Sequence, residues 1–291
     1  MMVSPKPLTF SEVDGLGFAS ARDRLNLGDL QGRYSPRRLG PLLELLHQPA
    51  NVARGALGIL NLPRSGAAAS FLGALTQNHE QWVWRDRRRM GFIRAVRREP
   101  DGDDRLTAFL MDAQRAARDV GGFAGQVPRW LVASMEELES NMREHSEAPH
   151  TGILAFRAAA GMFEFVAADR GIGVLESLRG CADYRDLADH GRALTAALTE
   201  GVSRFGVNVG RGLGFRPLFV GLVNLRGYLR FRSGDHALTM DGTTPSLATA
   251  QLSQKPGLRG FLASVCCDRN VAQKRPLIPD ESLKRPDGIP H

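Results

Sequence analysis

The chain has 291 residues, with a hydrophobic share of 43% and a charged share of 24%. These are the proportions of an ordinary globular protein, long enough for one large domain or two modest ones. No apolar run approaches the ~18–20 residues needed to span a bilayer, and residues 1–7 lack the apolar centre of a secretory leader, so a cytoplasmic protein with no membrane segment is expected. A formal net charge of +7 permits contact with an acidic protein, nucleic acid or a membrane surface. The three cysteines, Cys181 and the adjacent Cys266 and Cys267, have neither the CxxC spacing of a zinc site nor the pattern of a disulfide framework.

In chain order, residues 25–30 alternate as a half-buried strand. Ser35 and Pro36 are a cap and first turn for a helix carrying Leu39, Leu42, Leu43 and Leu46. Residues 57–62 read as a second short strand stopped by Pro63, and Ser65 caps a helix with Phe71, Leu72 and Leu75 on one face. This βαβα order predicts a small α/β layer over residues 1–85. The densest basic run, Arg85-Asp86-Arg87-Arg88-Arg89, lies beside Trp82 and Trp84. No DNA- or RNA-binding module accompanies it, so nucleic acid is disfavoured and a solvated linker face is expected.

A strand is expected over 91–96, turn chemistry over 99–104, and a helix over 105–119. The next helix is the most regular in the sequence: Val127, Trp130, Leu131, Met135, Leu138 and Met142 recur at spacings of three and four, with Pro128 in the first turn. Residues 153–156 and 162–167 read as two strands, the second delivering Asp169. Phe215, Leu218, Phe219, Leu222 and Val223 mark a further helix. Residues 228–232 alternate with period two, and Ser233-Gly234-Asp235 predicts a turn into a return strand over 236–240. A last strand is expected over 258–265, and the Pro- and Lys-rich stretch 270–291 reads as disordered. The succession from residue 105 predicts an α+β fold: a mixed, mainly antiparallel sheet with helices on one face, forming a two-layer α/β sandwich over residues 90–268.

Three short motifs carry chemistry. Glu137 and Asn141 are i and i+4 on the regular helix, so they project side by side. Asn141 offers a neutral oxygen of the kind Mg²⁺ accepts alongside waters and phosphate oxygens, and Glu137 could take a proton from a hydroxyl or water near a phosphate. His145 follows one turn later, as a phosphate-side or structural residue. Asp169 ends an apolar strand before Gly171 and Gly173; a carboxylate there can accept the exocyclic amine of adenine, and glycines allow close backbone approach. Gly210, Arg211, Gly212, Leu213 and Gly214 precede a predicted helix, where backbone N–H groups can meet phosphate oxygens. A P-loop is excluded because no G-x-x-x-x-G-K-[ST] occurs, and the G-x-G-x-G spacing is not that of a dinucleotide fingerprint.

The order and spacing of these motifs, Glu137 to Ser146, Asp169 to Gly173 and Gly210 to Gly214, resemble the nucleotide site of the GHKL ATPase superfamily. The segment from Glu137 to Ser146 is most similar to its anti-sigma-factor serine-kinase branch. The resemblance implies a Bergerat-type sandwich binding ATP and Mg²⁺. In it Asn141 is the metal ligand, Glu137 the general base, Asp169 the adenine contact, and residues 174–209 a lid. It also implies γ-phosphoryl transfer to Ser or Thr of a regulatory protein partner of STAS or sigma-factor type, admits a homodimer, and suggests a STAS-like character for residues 1–85. Two positions depart from the pattern: Glu144 stands where many members carry Lys, and Phe261 follows Gly260 where a Thr is common. These leave open whether the chain turns ATP over or only binds it, as a regulatory module that docks a partner through a nucleotide-ordered lid.

Overall fold

The computed structural model describes residues 4–62, 65–84, 86, 89–94, 104–197, 227–240 and 250–269. The N-terminal part runs β1 (Lys6–Pro7), α1 (Phe10–Ala21), β2 (Tyr34–Ser35), α2 (Leu39–His47), α3 (Ala50–Ala53) and α4 (Ala67–Thr76). It continues through β3 (Gln81–Val83), β4 (Met90–Arg94), α5 (Asp104–Asp119), α6 (Val127–His145), β5 (Ile153–Ala159) and β6 (Met162–Asp169). The last described elements are α7 (Gly173–Arg179), α8 (His190–Ala197), β7 (Tyr228–Met240) and β8 (Gln251–Asp268). The fold class is α+β.

Strands β3 to β8 form one six-stranded sheet in the order β3-β4-β5-β6-β8-β7. Every pairing in it is antiparallel, which corrects the mixed sheet expected from sequence. The connection from β4 to β5 contains two successive helices, so the chain reverses twice and returns antiparallel; a single crossover helix would have made a parallel pair.

Burial is nearly continuous along β6 and over most of β4 and β5, because both faces of the sheet are covered. Leu154 and Phe156 on β5, Phe163, Phe165 and Ala167 on β6, and Phe261, Ala263 and Val265 on β8 share one core. Against it α5 packs Phe109 and Ala113, and α6 packs Leu131, Met135, Leu138 and Met142. The intervening residues Ala155, Val166, Ala168 and Leu262 belong to a second core with Val13, Leu39, Leu42, Phe71 and Leu72. The described residues therefore form three layers, helix–sheet–helix, with α1, α2 and α4 over the face that a two-layer sandwich would leave bare.

The βαβα reading of the N-terminal segment is corrected in detail. Residues Leu27–Leu30 are a 3-10 turn, because the Asn26 side chain accepts from Gly28 N at 3.1 Å and draws the backbone out of an extended path. Of residues 57–62 only Leu60 bridges to another strand residue, Tyr34. Ser35 is held in the β1–β2 ladder opposite Pro7, and α2 starts at Leu39. Likewise α4 starts after Gly66, whose φ of 101° favours glycine.

Near the other end of the chain, Ser233-Gly234-Asp235 is no hairpin turn. Residues Tyr228–Met240 are one strand with register shifts around Gly234, paired with the 18-residue β8 from Tyr228 opposite Cys266 to Thr239 opposite Gln251. Ser233 pairs with Phe261, Gly234 with Leu258 and His236 with Gln254, so the surplus residues lie on β8, and the ladder absorbs them as an irregularity while β7 runs on. Gly234 has φ 58°, and a Cβ there would collide with the His190 ring of α8. The third motif (210–214), the helix expected at 215–223, residues 198–209 of the expected lid and the stretch 270–291 lie outside the described residues.

Candidate functional site

Helix α6 buries its stripe of Leu131, Met135, Leu138 and Met142 completely against the sheet, which leaves Glu137 and Asn141 half-buried at the stripe's edge. The Asn141 amide nitrogen donates to the Glu137 carbonyl at 2.9 Å. That bond sets the amide's orientation and keeps Oδ1 as the acceptor oxygen. The Glu137 carboxyl is raised above the usual range, first by burial and then by the Glu144 charge, with a hydrogen bond from Asn141 opposing. Glu144 itself lies along the helix surface, accepting from Ser140 Oγ at 2.9 Å and from Arg143 Nη2 at 3.2 Å. His145 is the last residue of α6 and is half-buried.

Strand β6 delivers Asp169 opposite Phe261 of β8, in a position only 1% exposed. Its Oδ1 accepts from Gly171 N at 2.7 Å, while the equally buried Oδ2 has no hydrogen-bond partner among the described residues. Burial of this half-satisfied carboxyl pushes its pKa up to about 6, against the lowering effect of the Gly171 and Phe261 N–H groups.

The turn after Asp169 closes directly on the end of α6. Ile172 N donates to the Ser146 carbonyl at 2.9 Å, and a Cβ on Gly171 would collide with that same oxygen. Asn141 precedes Ser146 by five residues, about 7.5 Å of helix rise. The structure thus brings the first two motifs together. Gly173, at φ 78°, leaves space filled by Ser233 Oγ and the Gly260 carbonyl, and Gly260, at φ 75°, leaves space filled by Asp169 itself. A side chain at any of these three glycines would meet protein, so they let the turn close on its neighbours.

No family model and no curated protein matches the chain. The chemistry of the site is carried by its own residues.

Several of those residues carried no sequence signal. Ser233, read as part of a turn, accepts from Val174 N and donates to the Gly260 carbonyl, both at 2.9 Å, and so fixes the start of α7 to β8. Phe261, where a hydroxyl residue is common in the resembling family, points into the core and packs edge-on to Phe231. The N-terminal layer also reaches the site. His47 at the end of α2 bonds the Asp169 carbonyl at 2.7 Å and the Arg259 carbonyl at 3.2 Å through Nε2, which must therefore carry the proton. In return Arg170 Nη2 donates to the Leu46 carbonyl at 2.9 Å, one of the orphan acceptors at the end of α2.

His47 and Asp169 carry opposite pH dependences. Burial, helped by the Arg170 charge, lowers the His47 pKa from 6.5 to about 4. Between those values the unfolded chain binds a proton that the folded chain does not, so stability falls as pH drops, by roughly 3 kcal/mol in all. Asp169 is raised from 3.8 to about 6. Here the folded chain holds the extra proton, so stability falls as pH rises through that window, by a similar amount. Where the windows overlap the two largely cancel. His47→Gln should therefore uncover a loss of stability between pH 4 and 6, measured by urea unfolding at stepped pH. An unchanged slope in that window would contradict the assignment.

Proposed function

We propose that the chain binds Mg-ATP in a site of the histidine-kinase-like ATPase type and transfers the γ-phosphoryl group to a Ser or Thr of a regulatory protein partner, of STAS or sigma-factor kind. The observation that carries this reading is Asp169 Oδ2: a buried carboxylate oxygen without a hydrogen-bond partner among the described residues, at the end of the strand whose turn touches the helix bearing Glu137 and Asn141. Buried polar atoms are rarely left unsatisfied, and one that is calls for an unseen partner. An adenine amine has the complementary donor.

Asn141 fits a metal-bound nucleotide because its amide nitrogen is committed to the helix backbone and its oxygen is not. Mg²⁺ needs only one or two protein oxygens when phosphates supply others. When bound, the metal would neutralise phosphate charge. Glu137, held half-buried and raised in pKa, suits a base that takes the proton of the attacking hydroxyl as the new O–P bond forms and ADP departs. His145, Gly171 and Gly173 would border the nucleotide, and Gly210, Arg211, Gly212, Leu213 and Gly214 would offer N–H groups and one positive charge to its phosphates.

Calorimetric titration of Mg-ATP into the full chain tests the reading at its base, and absence of binding would sink it. Glu137→Gln should keep Mg-ATP affinity within about threefold while cutting phosphoryl transfer by about 10²–10⁴. Asn141→Ala should abolish the dependence of nucleotide affinity on Mg²⁺. A second reading, a regulatory module that binds ATP with little turnover, is favoured by Glu144: where a Lys would attract phosphate there is a carboxylate bonded to Ser140 and Arg143. Binding without phosphate release or transfer would select it.

A further inference from the structure

At the far end of the sheet from Asp169 lies a cleft of about 560 Å³, lined by the turn between β5 and β6, the segment leading into α2, the start of α4 and the end of α5. Strand β6 separates the two places by seven residue steps, about 23 Å. The cleft is of ligand size, and it belongs to neither of the first two motifs.

Its charged lining is Arg38, Arg89, Arg157 and Asp119. Asp119 is already engaged, taking two hydrogen bonds from the neighbouring Arg118 at 2.7 and 3.2 Å. The three cleft arginines are poorly served by acceptors. Among the described residues Arg38 donates to sulfur, Sδ of Met162 at 3.2 Å and Sγ of Cys266, with the Glu164 and Asp268 charges nearby. Arg157 donates to the Arg37 carbonyl and forms a long ion pair with Glu164 at 3.9 Å, too far for a hydrogen bond. Glu164 is itself buried and bound to Gly40 N at 3.0 Å. Arg89, the last residue of the basic run, is exposed. Each guanidinium carries five N–H donors in a planar fork suited to phosphate, more than the bonds found among the described residues engage. The start of α4 adds to the positive character, since its first turn has no side-chain cap. The remaining walls are apolar, with Leu39, Leu42, Met90 and Val120.

We infer that this cleft is a second binding site, for a phosphomonoester carried on an apolar body. The guanidiniums take the phosphate and the leucine-lined wall takes the body. The phosphate could belong to a small organic molecule or to a phosphorylated side chain, and the inference stands apart from the nucleotide reading.

The test uses the full chain and phenyl phosphate as probe, followed by amide chemical shifts. Saturable shifts are expected at the residues 158–160 turn and at the start of α4, with none from phenol at the same concentration. Arg38→Gln and Arg157→Gln should each weaken binding about tenfold, as loss of a charge-assisted bond to phosphate does. Arg89→Gln removes an exposed side chain and should weaken binding without risk to folding, so it decides the matter if the other variants unfold. Asp169→Asn should leave the probe's affinity unchanged. A phosphoserine peptide with apolar flanks, binding more tightly than phenyl phosphate, would identify a protein-borne source; the reverse order would identify a small molecule. No saturable shift at 10 mM probe (about the weakest affinity of use, ~−2.7 kcal/mol), equal binding by Arg89→Gln and wild type, or shifts centred on Asp169 would each overturn the proposal.

Discussion

Asp169→Asn is expected to lower affinity for Mg-ATP by at least about a hundredfold, ~3 kcal/mol, while leaving the protein folded and no less stable at neutral pH. The substitution keeps the shape of the side chain and changes only what it offers. The new amide must present its oxygen to Gly171 N, which already bonds Oδ1 at 2.7 Å. Its NH₂ then stands where Oδ2 was, a donor facing the adenine amine, also a donor. Mismatched buried donors cost more than a lost hydrogen bond, because neither can turn to water. The stability half of the result has a separate origin. A carboxyl raised to about 6 is ionised at pH 7 in a place that resists its charge, so removing that charge relieves the fold. Calorimetry with Mg-ATP and a thermal melt read the two halves independently. Unchanged affinity beside a folded variant would remove Asp169 from the nucleotide site.

The largest stability effect is expected at Glu44. This residue of α2 is wholly buried and accepts from Arg230 Nε at 2.7 Å, Arg230 Nη2 at 2.8 Å and Arg232 Nη1 at 2.6 Å. Asp14 of α1 also pairs with Arg230, and with Lys255 of β8 at 3.0 Å, while Arg232 donates to the Pro256 carbonyl. Five charges from α1, α2, β7 and β8 thus tie the helical layer to the sheet. Glu44→Gln leaves two buried guanidiniums with one carboxylate between them. Breaking such a pair typically costs ~3–5 kcal/mol, against a total stability of about 5–15 kcal/mol for a typical domain. A drop of many degrees in the melting temperature is expected, with hydrogen exchange in α1 and α2 rising first. Replacing Glu44, Arg230 and Arg232 together by Leu, Met and Met should recover most of the loss, because no uncompensated charge remains buried. A Glu44→Gln protein as stable as wild type would show that the network contributes nothing net.

Among the described residues, no helix is long and apolar enough to cross a membrane. That agrees with the composition, and the helical layer finds its apolar partner in the sheet's second face.

The sequence by itself determined the elements whose cause is local. The three-and-four spacing of Leu131, Met135, Leu138 and Met142 specifies α6, and with it the side-by-side placement of Glu137 and Asn141. The apolar run into Asp169 specifies a strand that ends there. What depends on distant chain was decided by the tertiary structure. Ser233-Gly234-Asp235 has the chemistry of a turn, yet β8 pairs on both sides of it and keeps it inside one strand. Arg230 and Arg232 alternate as solvent-facing residues would, yet Glu44 and Asp14 meet them inside the protein. His47 is one more residue at a helix end until the fold sets it under the Asp169 carbonyl. Local periodicity reports which residues share a face. Whether that face meets water, an apolar core or a carboxylate from a segment more than 180 residues earlier is settled only when the layers pack.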